Sequence, residues 1–198
     1  MRKVSLDEVK DLAEYERVRE EFRRRIIELK ARRRVQVGDR VSLVFENHET
    51  ALSQVQEMVR AERIVDREKI QFEIDTYNAI LPEEGELSAT LFIEITQEAD
   101  IRKELDRLLG LDEPGRVYFD LGEAGRIPAR FEAGHSDATR ISAVHYVTFP
   151  FDPGQRRYLE EGPGPVRLVV DHPSYQAAGE LTGTVRRALA EDFAEPAP

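Results

Sequence analysis

Glu86-Leu-Ser-Ala-Thr-Leu-Phe-Ile-Glu-Ile-Thr96 alternates without a lapse, with Leu87, Ala89, Leu91, Ile93 and Ile95 on one side and Ser88, Thr90, Phe92 and Glu94 on the other. A period of two marks a strand, because successive Cβ atoms point to opposite faces of the pleat. This run is therefore the spine of a sheet that buries one face. The same patterning recurs at Arg40 to Glu46, Val117 to Leu121, Ile127 to Ala133, Ile141 to Phe151 and Val166 to His172. Gly122-Glu-Ala-Gly125 and Ala133-Gly-His-Ser-Asp-Ala138 are short connections, which favour antiparallel neighbours. The strands at 117–121, 127–133 and 141–151 should lie side by side in that order as a meander.

The remaining chain reads as helix. Ser5 and Glu8 form a capping-box pattern that opens a helical arm over 5–34, with acids in its first half and Arg32, Arg33 and Arg34 at its end, as the macrodipole prefers. Its apolar stripe changes side between Leu6, Val9 and Ala13 and Tyr15, Val18, Phe22, Ile26 and Leu29, so a kink or break is expected near residues 13–15. Val37-Gly38-Asp39 punctuates the end of the arm. Further helices are expected at 48–63, at 67–81 behind Asp66, at 97–109, in a short turn at 155–161, and near 178–193. Helices and strands do not alternate strictly, so the class is α+β: an antiparallel sheet of about six strands packed with about five helices. Residues 1–193 form one domain in this reading, and 194–198 fray.

Composition excludes several functions. No apolar run reaches the roughly 18 residues of a spanning helix and no signal-peptide pattern opens the chain, so a cytoplasmic protein is expected. Absence of Cys removes thiolate nucleophiles, disulfides and Cys-ligated clusters together. Net charge of −10 argues against nucleic acid. The charge is uneven: residues 1–34 carry 12 basic against 8 acidic side chains, the rest 17 against 31. A basic arm docking on an acidic body follows, and Arg23-Arg-Arg25 and Arg32-Arg-Arg34, interleaved with Glu20, Glu21 and Glu28, read as its solvated or docked face. Arg supplies 24 of the 29 cations, which a heat-adapted source or a GC-rich genome explains equally well. No GxGxxG, GxxxxGK[ST], HExxH or GxSxG string is present.

Polar residues at apolar positions are the remaining candidates. On the 48–63 helix, Ala51, Val55, Met58 and Val59 define a stripe with Glu62 at its centre, and a core-facing carboxylate must be paired, protonated or metal-bound. Arg19 or Arg33 would serve as its partner. His145 shares a strand face with Val147 and Phe149, and His172 with Leu168 and Val170. The bland reading is two hydrogen-bonded core histidines. The sharper one is a His145, His172 and Glu62 site for iron, manganese or zinc, as in a metal-dependent enzyme or metal carrier. Glu132-Ala-Gly-His135 matches an E-x-x-H string, but at a strand end, where those two side chains do not converge.

Six stretches together resemble an uncharacterised bacterial family, the domain of unknown function numbered three thousand five hundred and one. They are Glu14-Tyr-Glu-Arg17 with Phe22-Arg-Arg-Arg25, Leu43-Val-Phe-Glu-Asn47, Gln54-Val-Gln-Glu-Met-Val-Arg-Ala-Glu62, Asp75-Thr-Tyr-Asn78, Glu86 to Glu94, and Asp171-His-Pro-Ser-Tyr175. The resemblance implies no activity. It implies a context of rubrerythrin-like di-iron proteins and iron–sulfur oxidoreductases, hence an accessory or interaction protein of a redox or peroxide-defence system; apart from the resemblance, a homodimer is a further option. It also implies that relatives carry Gln at the place of His145. Glu46, Asn47, Gln54, Gln56, Glu57 and Arg60 stand within its most specific strings as a polar network or recognition surface. Gln56 and Arg60 point away from the apolar stripe, so they should meet a sheet edge, another chain or a ligand.

Overall fold

Arg34–Val37 (β1) and Val41–Phe45 (β2) pair antiparallel around Gly38, whose φ of 68° is left-handed and strained for any residue with a Cβ. The Tyr175 hydroxyl closes this turn, donating to the Val37 carbonyl at 2.6 Å and accepting from the Arg40 N–H at 3.1 Å. The computed structural model describes residues 1–134, 136–137 and 139–194. Its further strands are Glu86–Ile93 (β3), Val117–Asp120 (β4), Arg126–Pro128 (β5), Arg130–Phe131 (β6), Ser136–Asp137 (β7), Arg140–Ile141 (β8), Val144–Pro150 (β9), Arg167–His172 (β10) and Tyr175–Glu180 (β11). The helices are Leu12–Ala31 (α1), His48–Ala61 (α2), Arg67–Ala79 (α3), Ile101–Arg107 (α4), Pro153–Glu161 (α5) and Gly183–Ala194 (α6).

The α+β class holds, but the expected single sheet is divided into two larger sheets beside a small β7–β8 ribbon. One has the order β1-β2-β3-β9-β6, the other β11-β10-β4-β5, and every pairing is antiparallel. The run expected as one strand at 127–133 divides between them. Pro128 has no N–H to continue a ladder, and the chain crosses from β5 to β6 at Ala129, whose N–H reaches the Val117 carbonyl at 2.8 Å. Thus β4 neighbours β5 and β6 neighbours β9, in different sheets. At the opposite edges β11 crosses β1, where Gly179 lies against the backbone of Gln36.

The two sheets enclose the main core. Phe45 and Phe149 reach in from the first sheet and Phe119 from the second, with ring centroids 4.8 to 6.1 Å apart. Leu87, Ala89, Leu91 and Ile93 point inward as their alternation predicts. A second apolar cluster lies among the helices, built from Ala51, Val55 and Val59 of α2, Ile74 of α3, and Val4, Ile64 and Leu81.

Several boundaries differ from the sequence reading, and three change an element. The break in the N-terminal arm falls at residues 9–11, where a 3₁₀ turn over Leu6–Glu8 ends and Asp11 caps α1 anew by accepting from the Glu14 N–H. Residues 34–37 leave the arm as β1. Residues 175–180 are a strand, so the last helix begins at 183 rather than 178. The expected fraying of 194–198 falls, beyond Ala194, outside the described residues.

Candidate functional site

Helix α2 carries most of the motif residues. Asn47 caps it, its side chain accepting the Thr50 N–H at 3.0 Å while the Thr50 hydroxyl accepts the Asn47 N–H at 2.9 Å. One residue earlier, Glu46 is 3% exposed and its two carboxylate oxygens accept from the Thr50 and Thr90 hydroxyls, both at 2.5 Å. Tyr146 lies near this carboxylate. Burial, with the fields of Glu46 and Glu132, pushes its hydroxyl above the ordinary tyrosine range.

The polar side of α2 seats the chain's own N-terminal arm. Gln56, 2% exposed, exchanges two hydrogen bonds with the backbone of Lys10. Glu57 accepts from Arg19 Nε at 2.8 Å and Nη2 at 2.9 Å, and from the Tyr15 hydroxyl at 2.7 Å. Arg60 pairs with Glu16 at 2.6 Å and Arg25 with Glu49 at 2.7 Å. Gln54 is half-buried on the same helix. Arg19 and Arg25 of the arm thus meet acids of α2, while Arg60 of α2 meets an acid of the arm.

The Arg19 guanidinium holds the Glu57 carboxyl below the ordinary carboxylate range, against the opposing pull of burial. Burial and the facing Glu57 carboxylate push the Tyr15 hydroxyl up in turn. A depressed folded-state pKa means that the unfolded chain takes up the proton first, so this contribution to stability exists above the ordinary value, about 4.3, and fades as pH falls through the folded value. Glu57→Gln should lower the urea midpoint at pH 7, and the deficit should shrink below about pH 4. A deficit constant from pH 7 to pH 3 would refute this reading.

Glu62 is corrected: it is exposed, and neither Arg19 nor Arg33 is its partner. Arg19 pairs with Glu57, and Arg33 is buried against Asp192. The reason is a helix stop that the wheel did not reveal. Glu62 is the C-cap of α2, Arg63 turns left-handed at φ 53°, the Arg63 N–H reaches the Arg60 carbonyl at 3.2 Å and the Ile64 N–H reaches the Val59 carbonyl at 2.9 Å. That is a Schellman stop, normally signalled by Gly at the left-handed position. Ile64 then fills the core place that the helical wheel gave to Glu62, packing with Val59.

The two inward histidines belong to different sheets. His145, on β9, is 1% exposed; its Nε2 donates to the Ser142 carbonyl at 2.9 Å and its ring meets Phe131 edge-on. His172, closing β10, donates from Nε2 to the Leu109 carbonyl at 3.0 Å and accepts the Ser174 N–H at Nδ1 at 3.2 Å. Both ring nitrogens of His172 are thus engaged with backbone, which leaves none for a metal. With Glu62 on the surface, the three residues proposed as ligands do not assemble, and no group of three His, Asp or Glu suited to a metal occurs among the described residues. Of Glu132-Ala-Gly-His135, His135 lies outside the described residues.

The sequence reading missed the α2–α3 turn. Val65 and Phe72 are 79% and 68% exposed beside a hollow of about 350 Å³ lined by Glu62, Arg63, Lys69 and Glu73. Val65 just before α3 and Phe72 within it were the available signal.

A model of the family described as "Protein of unknown function (DUF3501)" matches residues 3–193. A crystal structure of a novel protein of unknown function from Burkholderia pseudomallei K96243 is 31% identical, covers 97% of this chain and 100% of its own, and superimposes with a TM-score of 0.88. No curated protein matches the sequence. Among the described residues no helix is long and apolar enough to cross a membrane.

Proposed function

We propose, for a chain that belongs to the DUF3501 family of proteins of unknown function, the role of an accessory interaction protein that docks a rubrerythrin-like or iron–sulfur protein of a redox or peroxide-defence system through its α2–α3 turn. The observation that carries the docking face is the exposure of Val65 and Phe72 around a charged-rimmed hollow, because solvated apolar side chains of this size, clustered rather than scattered, mark contact sites. Arg63 adds to it. A non-glycine residue in the left-handed region costs about 1 kcal/mol, and such strain gathers where function holds it. The rim mixes Glu62 and Glu73 with Arg63 and Lys69, which suits a polar border around an apolar centre. The class of partner comes from the context that the family resemblance implies.

The test is a binding titration of the purified chain against a purified rubrerythrin-like protein and a purified iron–sulfur oxidoreductase, with Val65→Asp/Phe72→Asp as the variant. Both positions are exposed, so the variant should melt within about 0.5 kcal/mol of the parent. Binding to one of the two partners should weaken at least tenfold. No binding to either partner, or binding indifferent to the double substitution, would overturn the proposal. So would stoichiometric iron, manganese or zinc in the freshly purified chain, which would favour a metal-dependent enzyme or carrier.

A further inference from the structure

The segment before α1 is held by recognition of its main chain. Asn78, near the end of α3, accepts the Val4 N–H at 2.8 Å and donates to the Val4 carbonyl at 2.9 Å. Gln56 on α2 does the same for Lys10, both bonds being 2.9 Å. Each amide supplies the two-bond rung that a neighbouring β-strand would make, so each reads a backbone whatever side chain it carries. Beside Asn78 two side chains are read as well. Val4 is 3% exposed within the cluster of Ala51, Val55, Ile74 and Leu81. The Lys3 ammonium lies 2.9 Å from the Asn78 carbonyl, 3.4 Å from the Leu81 carbonyl and 3.6 Å from Glu83, at the helix end where the macrodipole favours a cation.

We propose that the groove between α2 and α3 is a linear-peptide site for a cation followed by a β-branched apolar residue, that Lys3-Val4 is its resident occupant in cis, and that a segment of the same chemistry on another protein replaces it. The break at 9–11, where Asp11 caps α1 independently, lets residues 1–9 leave with the long helix intact. The seat is complementary in charge, one ammonium facing two carbonyls and a carboxylate. A second copy of this chain would recreate the same contacts and gain no differential free energy over the tethered arm, whose effective concentration is high. A foreign segment of this chemistry displaces the tethered arm only by adding contacts outside the Lys3-Val4 seat. This site is separate from the Val65–Phe72 face, and either proposal can fail alone.

The probe is a labelled synthetic peptide of residues 1–10, titrated onto the full chain carrying Val4→Asp, which loosens the arm and leaves the groove intact. The peptide should bind that variant at least tenfold more tightly than the parent chain. Adding Asn78→Ala to the variant, or Lys3→Glu to the peptide, should weaken binding at least tenfold. A folded Val4→Asp chain that ignores the peptide would overturn the proposal, and one that captures the intact parent chain as tightly as the peptide would reassign the groove to self-association. If the variant does not fold, hydrogen exchange of the parent chain decides: the Val4 and Lys10 amides should exchange together and well ahead of Val55 and Val59. Equal protection would make the arm a fixed part of the core and end the proposal.

Discussion

Asp192→Ala should lower the stability of the fold by about 3–5 kcal/mol, a fall in Tm of roughly 10 °C for a chain of this size. Arg33 and Asp192 face each other with side chains only 3% and 6% exposed. Arg33 also donates from Nε to the Phe45 carbonyl at 2.9 Å, from Nη2 to the Glu46 carbonyl at 3.2 Å and from Nη1 to the Ala188 carbonyl at 3.4 Å. One guanidinium thus joins the link between α1 and β1 to the end of β2 and to helix α6. Removing the carboxylate leaves the carbonyl bonds but strands a full positive charge out of water, and that uncompensated charge is the larger effect. The pair itself contributes little net stability, since desolvation offsets its attraction. Arg33→Met combined with Asp192→Leu should therefore recover most of the loss. Urea unfolding of Arg33→Met, Asp192→Leu and the double variant completes the cycle. A double variant no more stable than Asp192→Ala would show that the carbonyl contacts of Arg33, not its charge balance, hold α6 in place.

How far the sequence reveals this molecule depends on which physical signal each residue emits. β3 was legible because one face is buried and five inward positions repeat with period two. Helix α2 was legible from its apolar stripe and α3 from Asp66 at its cap. β1 was not, because Arg34 continues an arginine run and four residues make too short a period. The end of α2 was misread because Arg63 stands where a Schellman stop normally has Gly, which carried Glu62 one residue too far into an imagined core. Within the Gln54–Glu62 motif, Gln56, Glu57 and Arg60 make polar contacts with the arm. That partner was invisible, since pairing Gln56 with Lys10 and Glu57 with Arg19 requires knowing that the arm folds back along α2. Periodicity records which face is buried but not by what, so a contact between helices 40 residues apart leaves no local trace.

Gly179→Ala should cost about 3 kcal/mol, the upper end of overpacking, although it adds a single methyl group to a strand. A Cβ at Gly179 would lie 2.0 Å from the Gln36 carbonyl oxygen and 3.0 Å from its carbon. Those are backbone atoms of β1, already fixed by pairing with β2, so no side chain can rotate aside and the two sheets must separate at that edge. The same crowding explains why β11 reads so poorly as a strand. Ala177 and Gly179, on the face toward β1, are small because a neighbouring backbone occupies the room that Val or Ile would need, and small residues look like helix or loop. Ala178→Thr supplies the control. Position 178 is exposed, and a β-branched residue there should leave stability unchanged or raise it by about 0.5 kcal/mol. Urea unfolding of the two variants separates the explanations. Gly179→Ala destabilised while Ala178→Thr is not establishes close approach of the sheets as the reason for the glycine. If Gly179→Ala is as stable as the parent chain, β1 and β11 are not held against each other, and the closure of the two sheets at that edge must be redrawn.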